Sequence, residues 1–336
     1  MTPQDLDPAI RPVLAHLSVT PAEVVEWEPL TTGTYNALWR LTLRDGRRWI
    51  WKRPPAPTEK ATLRYEHNLL HGETTYYHAV HTLPDVPVPH LLHVHHQGDP
   101  PAVAGLLMTE RPGTPWHTVD PSLTAAERTR LRHHLGCLVA RVHTLTGPHF
   151  GYPAHPFGPP ADTWTGTFTT MVDAVLDDAA RYRVELPWPV DRLRHLLADA
   201  QDVLDEVTRP APVHFDLWPG NLLLDGPPGA RHLSGLIDAE RMFWGDPAAD
   251  FVSLALFDDI EHDEAFLTGY AEQDGPVTLT DATRLRLHLY RCYLYLIMLV
   301  EVVPRRYSPQ QQAWTRRRAG SALTASCQAL TSALAG

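Results

Sequence analysis

The sequence predicts an α+β chain in two lobes: an N-terminal antiparallel sheet with one helix, then a helical C-terminal lobe. Three observations carry this. The first 112 residues contain short apolar runs broken by turn residues, among them Asp45-Gly46, a dipeptide suited to a tight hairpin. Beyond residue 113 the apolar residues recur mostly at helical spacing. A chain of 336 residues also exceeds what one small core organises.

The elements follow in order. Residues 1–25 mix polar residues with proline and predict one short helix. Strands are expected near 24–30, 36–44 and 47–53, with a glycine-containing bend between the first two. From Glu59 to about Leu83, Leu69, Leu70, Tyr76, Tyr77 and Val80 fall at helical spacing, and Pro84 stops the helix. VPVPHLLHVHH and GLLMTERPG supply two more strand-like runs, and residues 110–114 connect the lobes. Thr124 followed by Glu127 reads as a capping box opening a helix over 124–145. A Pro/Gly-rich loop spans 148–162, and helices are expected over 163–183 and 189–208. A short hairpin, NLLLD and HLSGLID around GPPG, precedes helices near 247–257, 262–271, 280–303 and 308–334.

Composition narrows the function. Hydrophobic residues make up 43 %, well above disordered composition. CYLYLIMLV (292–300), between Arg291 and Glu301, is too short to span a bilayer and reads as a buried helix. No basic segment followed by an apolar one opens the chain, so a cytoplasmic protein without membrane contact is expected. Cys137, Cys292 and Cys327 show no metal-ligand spacing and read as buried free thiols. The net charge of −10 argues against nucleic-acid partners and is compatible with a cationic small substrate. Monomer and homodimer stay open.

The chemistry concentrates around HFDLWPGN (214–221), where Pro219 and Gly220 forbid regular structure. Asp216 and Asn221 lie in this loop, and Asp238 ends the strand across the GPPG turn. Such a hairpin brings Asn221 and Asp238 together as a hard-oxygen pair suited to Mg²⁺, which completes its shell with water and phosphate oxygens. Asp216 is then free to act on a hydroxyl, the division of labour that phosphoryl transfer needs. A cation for the phosphates is available in Lys52, at the end of the third strand, with Glu73 preferred over Glu66 as its partner. The bend LTTGTYN, with Gly33 and Thr34, would cover the phosphates with backbone N–H groups.

The order of these parts resembles the protein-kinase fold. VHFDLWPGNLLLD, GLIDAE, GDPAADFVSLALF and LLMTERPGT together resemble the aminoglycoside phosphotransferase and choline kinase-like family of small-molecule kinases, over roughly residues 28–300. The resemblance implies an ATP- and Mg²⁺-dependent transfer of the γ-phosphate to a small-molecule hydroxyl. Asp216 would be the catalytic base or hydroxyl-orienting group, and Asn221 and Asp238 the metal ligands. Lys52, braced by Glu73, would contact the phosphates, and the backbone of Thr109, Glu110 and Arg111 would hold adenine. His214 would be structural, and Asp250 would cap a helix and tie down the catalytic loop. The sequence departs from the family in Phe215 and Trp218, where Gly and His are common, and in having one glycine in the bend where two are frequent.

The acceptor is less determined. The actinobacterial style of composition favours an antibiotic or related natural product, of aminoglycoside or nucleoside type, with resistance or self-protection as the purpose. A metabolic kinase for an amino alcohol, sugar or amino acid is the alternative, and an inactive nucleotide-binding module represents another class. Trp218, Glu240, Asp258 and Asp259 are candidate acceptor contacts, joined by Glu261 and Asp263 in the same acidic run and by Asp173, Asp177 and Asp178 on an earlier helix. Trp164 and Trp188 read as core more than as pocket.

Overall fold

The computed structural model describes residues 6–30, 36–55, 62–95 and 104–334. The expected sheet is present. Strands β1 (Val24–Leu30), β2 (Ala37–Leu43), β3 (Arg48–Arg53), β4 (Leu91–His95) and β5 (Gly105–Thr109) form one sheet in the order β1-β2-β3-β5-β4. Every pairing is antiparallel. Helix α1 (Ile10–His16) covers one face, where Ile10, Val13 and Leu14 meet Trp27, Trp49, Trp51 and Leu107 in a small core. A strand alternates its side chains. With Trp49 and Trp51 committed to that core, Ile50 and Lys52 of β3 are sent to the opposite face. There lies helix α2 (Leu69–Val80), shorter than its apolar pattern suggested: Asn68, with φ 56°, breaks the chain, and residues 64–66 form a separate 3₁₀ turn. Residues 31–35, which include Gly33 and Thr34, and residues 56–61, which include Glu59, lie outside the described residues.

The connector continues into a two-residue strand β6 (Thr114–Pro115) and a short helix α3 (Trp116–Val119), neither visible in the sequence pattern. Helix α4 (Ala125–His143) starts as expected, with the Glu127 amide donating to Thr124 Oγ1 at 3.2 Å. The Glu127 carboxylate does not complete the box: it accepts from the Gly229 and Arg231 amides of the GPPG turn. Helix α5 (Trp164–Arg181) matches its expected span. The next segment splits at Ala200 into α6 (Val190–Asp199) and α7 (Gln201–Asp205). Strand β7 (Ala211–Val213) leads into the catalytic-loop motif, and β8 (Leu222–Asp225) and β9 (His232–Leu236) form the hairpin. Strand β10 (Phe243–Gly245) returns to pair with β7. Helices α8 (Asp250–Leu254), α9 (Glu264–Glu272), α10 (Asp281–Glu301) and α11 (Pro309–Leu334) follow; α8 is shorter than expected because residues 247–249 form a 3₁₀ turn.

The main core surrounds α10, whose Tyr290, Tyr293, Leu296, Ile297 and Val300 are fully covered. It runs without a break into the inner face of the sheet through Ile50, Leu70, Tyr76 and Leu106. Cys292 and Cys327 face each other between α10 and α11 with Sγ atoms 3.7 Å apart, whereas Cys137 is only half-buried. No helix among the described residues is long and apolar enough to cross a membrane.

Candidate active site

Lys52 is delivered by the strand alternation to a polar point inside this core, and its ammonium meets three carboxylates. Nζ lies 2.7 Å from Glu73 Oε2, 2.6 Å from Asp238 Oδ1 and 2.7 Å from Glu240 Oε2. Asp238 Oδ1 accepts a hydrogen bond from this ammonium, and Glu73 and Glu240 hold it as close ion pairs. Lys52 is 2 % exposed and Glu73 fully buried. Burial works against the Lys52 charge, but Asp238, Glu240 and Glu73 outweigh it and hold its pKa well above the usual value. Glu73 is the partner expected from the sequence. Glu66, the other candidate, is buried elsewhere: it accepts from the Leu63 amide and pairs with Arg305 at 2.6 Å.

Two residues of this cluster have no sequence signal as its members. Tyr77, four residues after Glu73 and so on the same face of α2, donates to Glu73 Oε1 at 3.0 Å and accepts from the Asp238 amide at 2.9 Å. Glu240, expected near the acceptor, turns instead toward the sheet. Its Oε2 lies 2.7 Å from Lys52 Nζ and accepts from Asn36 Nδ2 at 2.6 Å, Asn36 being the residue that follows 31–35 in the chain. Burial pushes the Glu240 carboxyl up to about 7, while Asp238 is held below its usual value, with the Lys52 charge overcoming the effect of burial. The turn bearing Glu240 presses on α2: a Cβ at Gly72 would sit 3.1 Å from the Glu240 carbonyl oxygen.

The HFDLWPGN loop (214–221) is anchored from below by Asp250. Its carboxylate accepts from the His214 amide at 3.1 Å and the Phe215 amide at 2.7 Å, and lies 3.0 Å from His143 Nε2. Ser253 Oγ takes the Leu217 amide. His214 has the structural role expected: one ring nitrogen lies 3.1 Å from the Ile237 carbonyl and the other accepts from the Asp216 amide. Asn221 Nδ2 donates to Asp216 O at 2.9 Å and Asp216 Oδ2 at 3.1 Å. The Ile237 amide donates to the Asn221 carbonyl at 3.0 Å, which brings Asn221 beside the end of β9 and hence beside Asp238. The hairpin thus gathers Asp216, Asn221 and Asp238, as the sequence predicted. Burial raises the Asp216 pKa, with Arg241 opposing.

The two departures of the loop have separate explanations. Phe215 adopts φ 61°, a left-handed angle that suits glycine, and its ring is completely buried against Phe243 and Tyr293. Packing holds the strained backbone here. Trp218 lies over Gly220, where a Cβ would meet the indole at 2.1 Å, and stacks on His117 with ring centroids 5.5 Å apart. In the connector, the Thr109 and Glu110 amides are consumed by the His90 and Arg48 carbonyls. An adenine ring would therefore find the carbonyls of this segment and the Arg111 amide, a narrower set than the sequence suggested. The Glu110 carboxylate pairs with Arg40 and Arg48.

A cleft of about 990 Å³ opens beside the loop, lined by His117 and Pro219 on one side and by Asp258, Asp259, His262 and Asp263 on the other. The predicted acidic run reaches it, and most of its charges are already engaged, Glu264 being the lining carboxylate of the run without a cation beside it among the described residues. Asp258 pairs with His262 at 3.0 Å, Asp259 with Arg291 at 2.9 Å, and Asp263 with Arg132. Glu261 is tied to Arg284. On α5, Asp173 and Asp177 pair with Arg194, and Asp177 and Asp178 with Arg64. Those three carboxylates pin α5 to α6 and to the segment before α2, not to a substrate. Trp164 is fully buried in the core, and Trp188 packs against it as a partly buried side chain.

The set of donors fits a hard divalent cation. Asn221 spends its Nδ2 on Asp216, which leaves Oδ1 as an acceptor, and Asp238 is 43 % exposed at its side chain although Lys52 holds one oxygen. Neither sulfur nor imidazole is among these donors, which suits Mg²⁺. The other carboxylates within reach, Glu73 and Glu240, surround the Lys52 ammonium.

A five-stranded sheet carrying a caged lysine, stacked on a helical lobe that presents Asp216, Asn221 and Asp238, defines a bilobal protein-kinase-like fold. The model of the phosphotransferase enzyme family (APH) matches residues 26–288, and the chain belongs to that family of small-molecule phosphotransferases. No curated protein matches by sequence. Among solved structures, a protein assigned as a fructosamine-3-kinase from Thermobifida fusca aligns with a TM-score of 0.64 at 19 % identity, over 91 % of this chain and 94 % of its own. The streptomycin–ATP complex of APH(2'')-IIa gives 0.58 at 14 % identity, over 95 % and 99 %. Macrolide 2'-phosphotransferase MphH from Brachybacterium faecium gives 0.57 at 18 %, over 94 % and 97 %. At these identities the likeness carries the fold.

Proposed function

We propose that the chain transfers the γ-phosphate of ATP to a hydroxyl of a small natural product of antibiotic type, acting in the cytoplasm. The observation that carries this reading is the convergence of Lys52 with Asp238 and of Asp238 with Asn221 and Asp216 at one point between sheet and hairpin. Residues 1–112 bind the nucleotide in this reading, and 113–336 supply the catalytic loop and the acceptor cleft. Lys52, oriented by Glu73, carries the positive charge that meets the phosphates. Asn221 Oδ1 and the Asp238 carboxylate would hold Mg²⁺, which when bound neutralises phosphate charge. Asp216 accepts a hydrogen bond from the acceptor hydroxyl, orients it for in-line attack and takes its proton as the new O–P bond forms and the bond from the γ-phosphorus to the bridging oxygen breaks, ADP leaving with that oxygen. Carbonyls of Thr109 and Glu110 and the Arg111 amide would bind adenine, and the bend with Gly33 and Thr34 would cover the phosphates.

The cleft next to Pro219 is the acceptor site in this reading, with Trp218 shaping its edge through His117. The arginine and histidine partners of Asp258, Asp259 and Asp263 engage most of the negative charge there and leave Glu264 as the uncommitted carboxylate of the acidic run. That favours sugar-bearing acceptors with few amino groups, nucleoside-type antibiotics before polycationic aminoglycosides. The same observation keeps a metabolic sugar or ketosamine kinase as the second reading. The test is ADP release from Mg·ATP across a panel of kanamycin, a nucleoside antibiotic, a macrolide and fructosyl-lysine. Mass spectrometry then seeks a product heavier by one phosphate. Release with none of these acceptors or their relatives, together with silent Mg·ATP binding, would return the chain to the inactive-module reading.

A further inference from the structure

The residue after Glu240 points the other way. Arg241 is part of the turn that follows Asp238, and its side chain runs beneath the catalytic loop. Its Nε lies 3.9 Å from Asp216 Oδ2, and its Nη2 lies 3.0 Å from Glu301 Oε2 at the end of α10. Glu301 Oε2 is also 3.4 Å from Arg305 Nη2, which reaches Glu66 Oε1 at 2.6 Å in the 3₁₀ turn before α2. The chain of charges Asp216–Arg241–Glu301–Arg305–Glu66 alternates in sign and is buried along its length; the side chains of Arg241, Glu301, Arg305 and Glu66 are 11, 7, 8 and 0 % exposed.

We propose that Arg241 is a positioning residue for Asp216, and that Glu301, Arg305 and Glu66 form a buried relay that fixes Arg241 and ties the catalytic loop to the root of helix α2. The inference rests on Asp216 being the hydroxyl-orienting group. Three points carry it. First, Asn221 Nδ2 and Arg241 Nε both face Oδ2 of Asp216, so one oxygen is restrained from two directions. A carboxylate held through one oxygen keeps a defined rotation, and its orientation sets how a hydroxyl is presented. Second, at 3.9 Å the Arg241 contact is an electrostatic one, too long for a strong hydrogen bond. It steers without locking Oδ2. Third, a guanidinium buried this deeply needs a carboxylate partner, since an unpaired charge there is costly. Glu301 supplies it. Glu301 in turn sits between two arginines, and Arg305 ends on the fully buried Glu66. Glu66 also accepts the Leu63 amide at 2.7 Å, so the far end of the relay is fastened to backbone. Through this route the loop bearing Asp216 and the helix bearing Glu73 share one buried framework.

The test uses the full chain, with Mg·ATP hydrolysis as the turnover assay, water standing in for the acceptor, and calorimetric binding of Mg·AMP-PNP as the second readout. Arg241→Met is expected to lower kcat about ten- to a hundredfold, the scale of a misplaced reacting group, with KM for ATP and AMP-PNP affinity nearly unchanged. Arg241→Lys is expected to recover much of the loss, because the charge persists. Glu301→Gln is expected to lower kcat less, and Glu66→Gln least. The double variant Arg241→Met/Glu301→Gln should lose no more than Arg241→Met alone, since both act through one path. If Arg241→Met does not fold, the double variant, which removes both buried charges, carries the same comparison against Glu301→Gln. Unchanged kcat in Arg241→Met, a loss that tracks nucleotide affinity, or losses that multiply in the double variant would each overturn the proposal. The underlying reading fails separately: turnover surviving in Asp216→Ala sinks it whatever Arg241 does.

Discussion

The Lys52 cage and the cleft beside Pro219 are both rich in carboxylates, and they behave in opposite ways. In the cage, Glu73, Asp238 and Glu240 converge on one ammonium that is nearly sealed from water. In the cleft, Asp258, Asp259 and Asp263 each face a cation of their own, and Asp258 is 70 % exposed. Burial makes the first set interdependent, because desolvated charges interact strongly and an unpaired one is expensive. The second set is closer to independent: solvent and salt screen the exposed Asp258 pair, and Asp259 and Asp263, although their arginines are 11 and 14 % exposed, each have a separate cation. Substitutions in the cage region should therefore have large, coupled effects, and those in the cleft small, additive ones.

The largest effect belongs to Asp216, which the cage and its hairpin place. Asp216→Ala is expected to reduce ADP release by about 10²–10⁴-fold, the usual contribution of a positioned acid–base group. Calorimetry should show Mg·AMP-PNP binding within a few-fold of the parent, since Lys52, Asn221 and Asp238 remain. Near-parental turnover would remove the hydroxyl-orienting role. Lys52→Met comes next. It leaves Glu73 buried without a cation, and urea unfolding should show a stability loss of about 3–5 kcal/mol. The pairing of Lys52→Met with Glu73→Gln should recover part of that loss, which is the sign of coupling. Additive losses would contradict the comparison.

How far these residues could be read from sequence depends on how local their geometry is. Asp216 and Asn221 are five residues apart in one loop, and the Asp238 partner lies across a single short hairpin, so spacing alone nearly places them. Lys52 and Glu73 follow from strand alternation and a helix face. Tyr77 and Glu240 were missed as cage members because the Tyr77 hydroxyl and the Glu240 carboxylate reach partners 161 and 204 residues away, Asp238 and Asn36. Glu240 was assigned to the wrong side because its direction is set by Asp238, which adopts φ 63° and opens a 3₁₀ turn. No rule of sequence announces that angle. Phe215 is the sharpest case. A phenylalanine gives no hint of a left-handed backbone, and it is the packing of Phe243 and Tyr293 around its ring, with Asp250 on its amide, that holds it there. In the helical lobe, element type was legible from apolar spacing, while breaks such as Ala200 were not.

A smaller effect separates the cage by pH. The Glu240 carboxyl, raised by burial to about 7, binds a proton in the folded chain at pH values where an unfolded glutamate has lost it. The folded state then holds more protons than the unfolded one between the ordinary glutamate pKa, about 4.3, and about 7, so this group's contribution to stability falls as pH rises through that window. Glu240→Gln cannot lose a proton and keeps an oxygen for Asn36. In the metal-free protein its Tm relative to the parent is expected to rise from pH 5 to pH 8. A Tm difference that is flat or declines over that range would mean that Lys52 keeps Glu240 ionised throughout.

The smallest effect is expected in the cleft, and it bears on the acceptor. Asp258→Asn breaks a pair with His262 that is exposed at both ends, and Asp259→Asn frees Arg291, which lies nearer the core. The exposed Asp258–His262 pair contributes up to about 1 kcal/mol and the Asp259–Arg291 pair, with Arg291 11 % exposed, somewhat more, so the double variant should lose less than the roughly 3–5 kcal/mol of a broken buried pair. Its more informative readout is KM. If the acceptor has few amino groups, KM should move less than about threefold, because the carboxylates were holding His262 and Arg291 and not the substrate. A polycationic acceptor would compete for those carboxylates, and each lost contact of about 1 kcal/mol would raise KM by about fivefold. A rise of tenfold or more for kanamycin, with no change for a nucleoside antibiotic, would reverse the preferred acceptor and show that the cleft exchanges its own cations for those of its substrate. The cage offers no such exchange at its deep end, since Glu73 is fully buried, and that contrast makes the two sets of variants a test of one another.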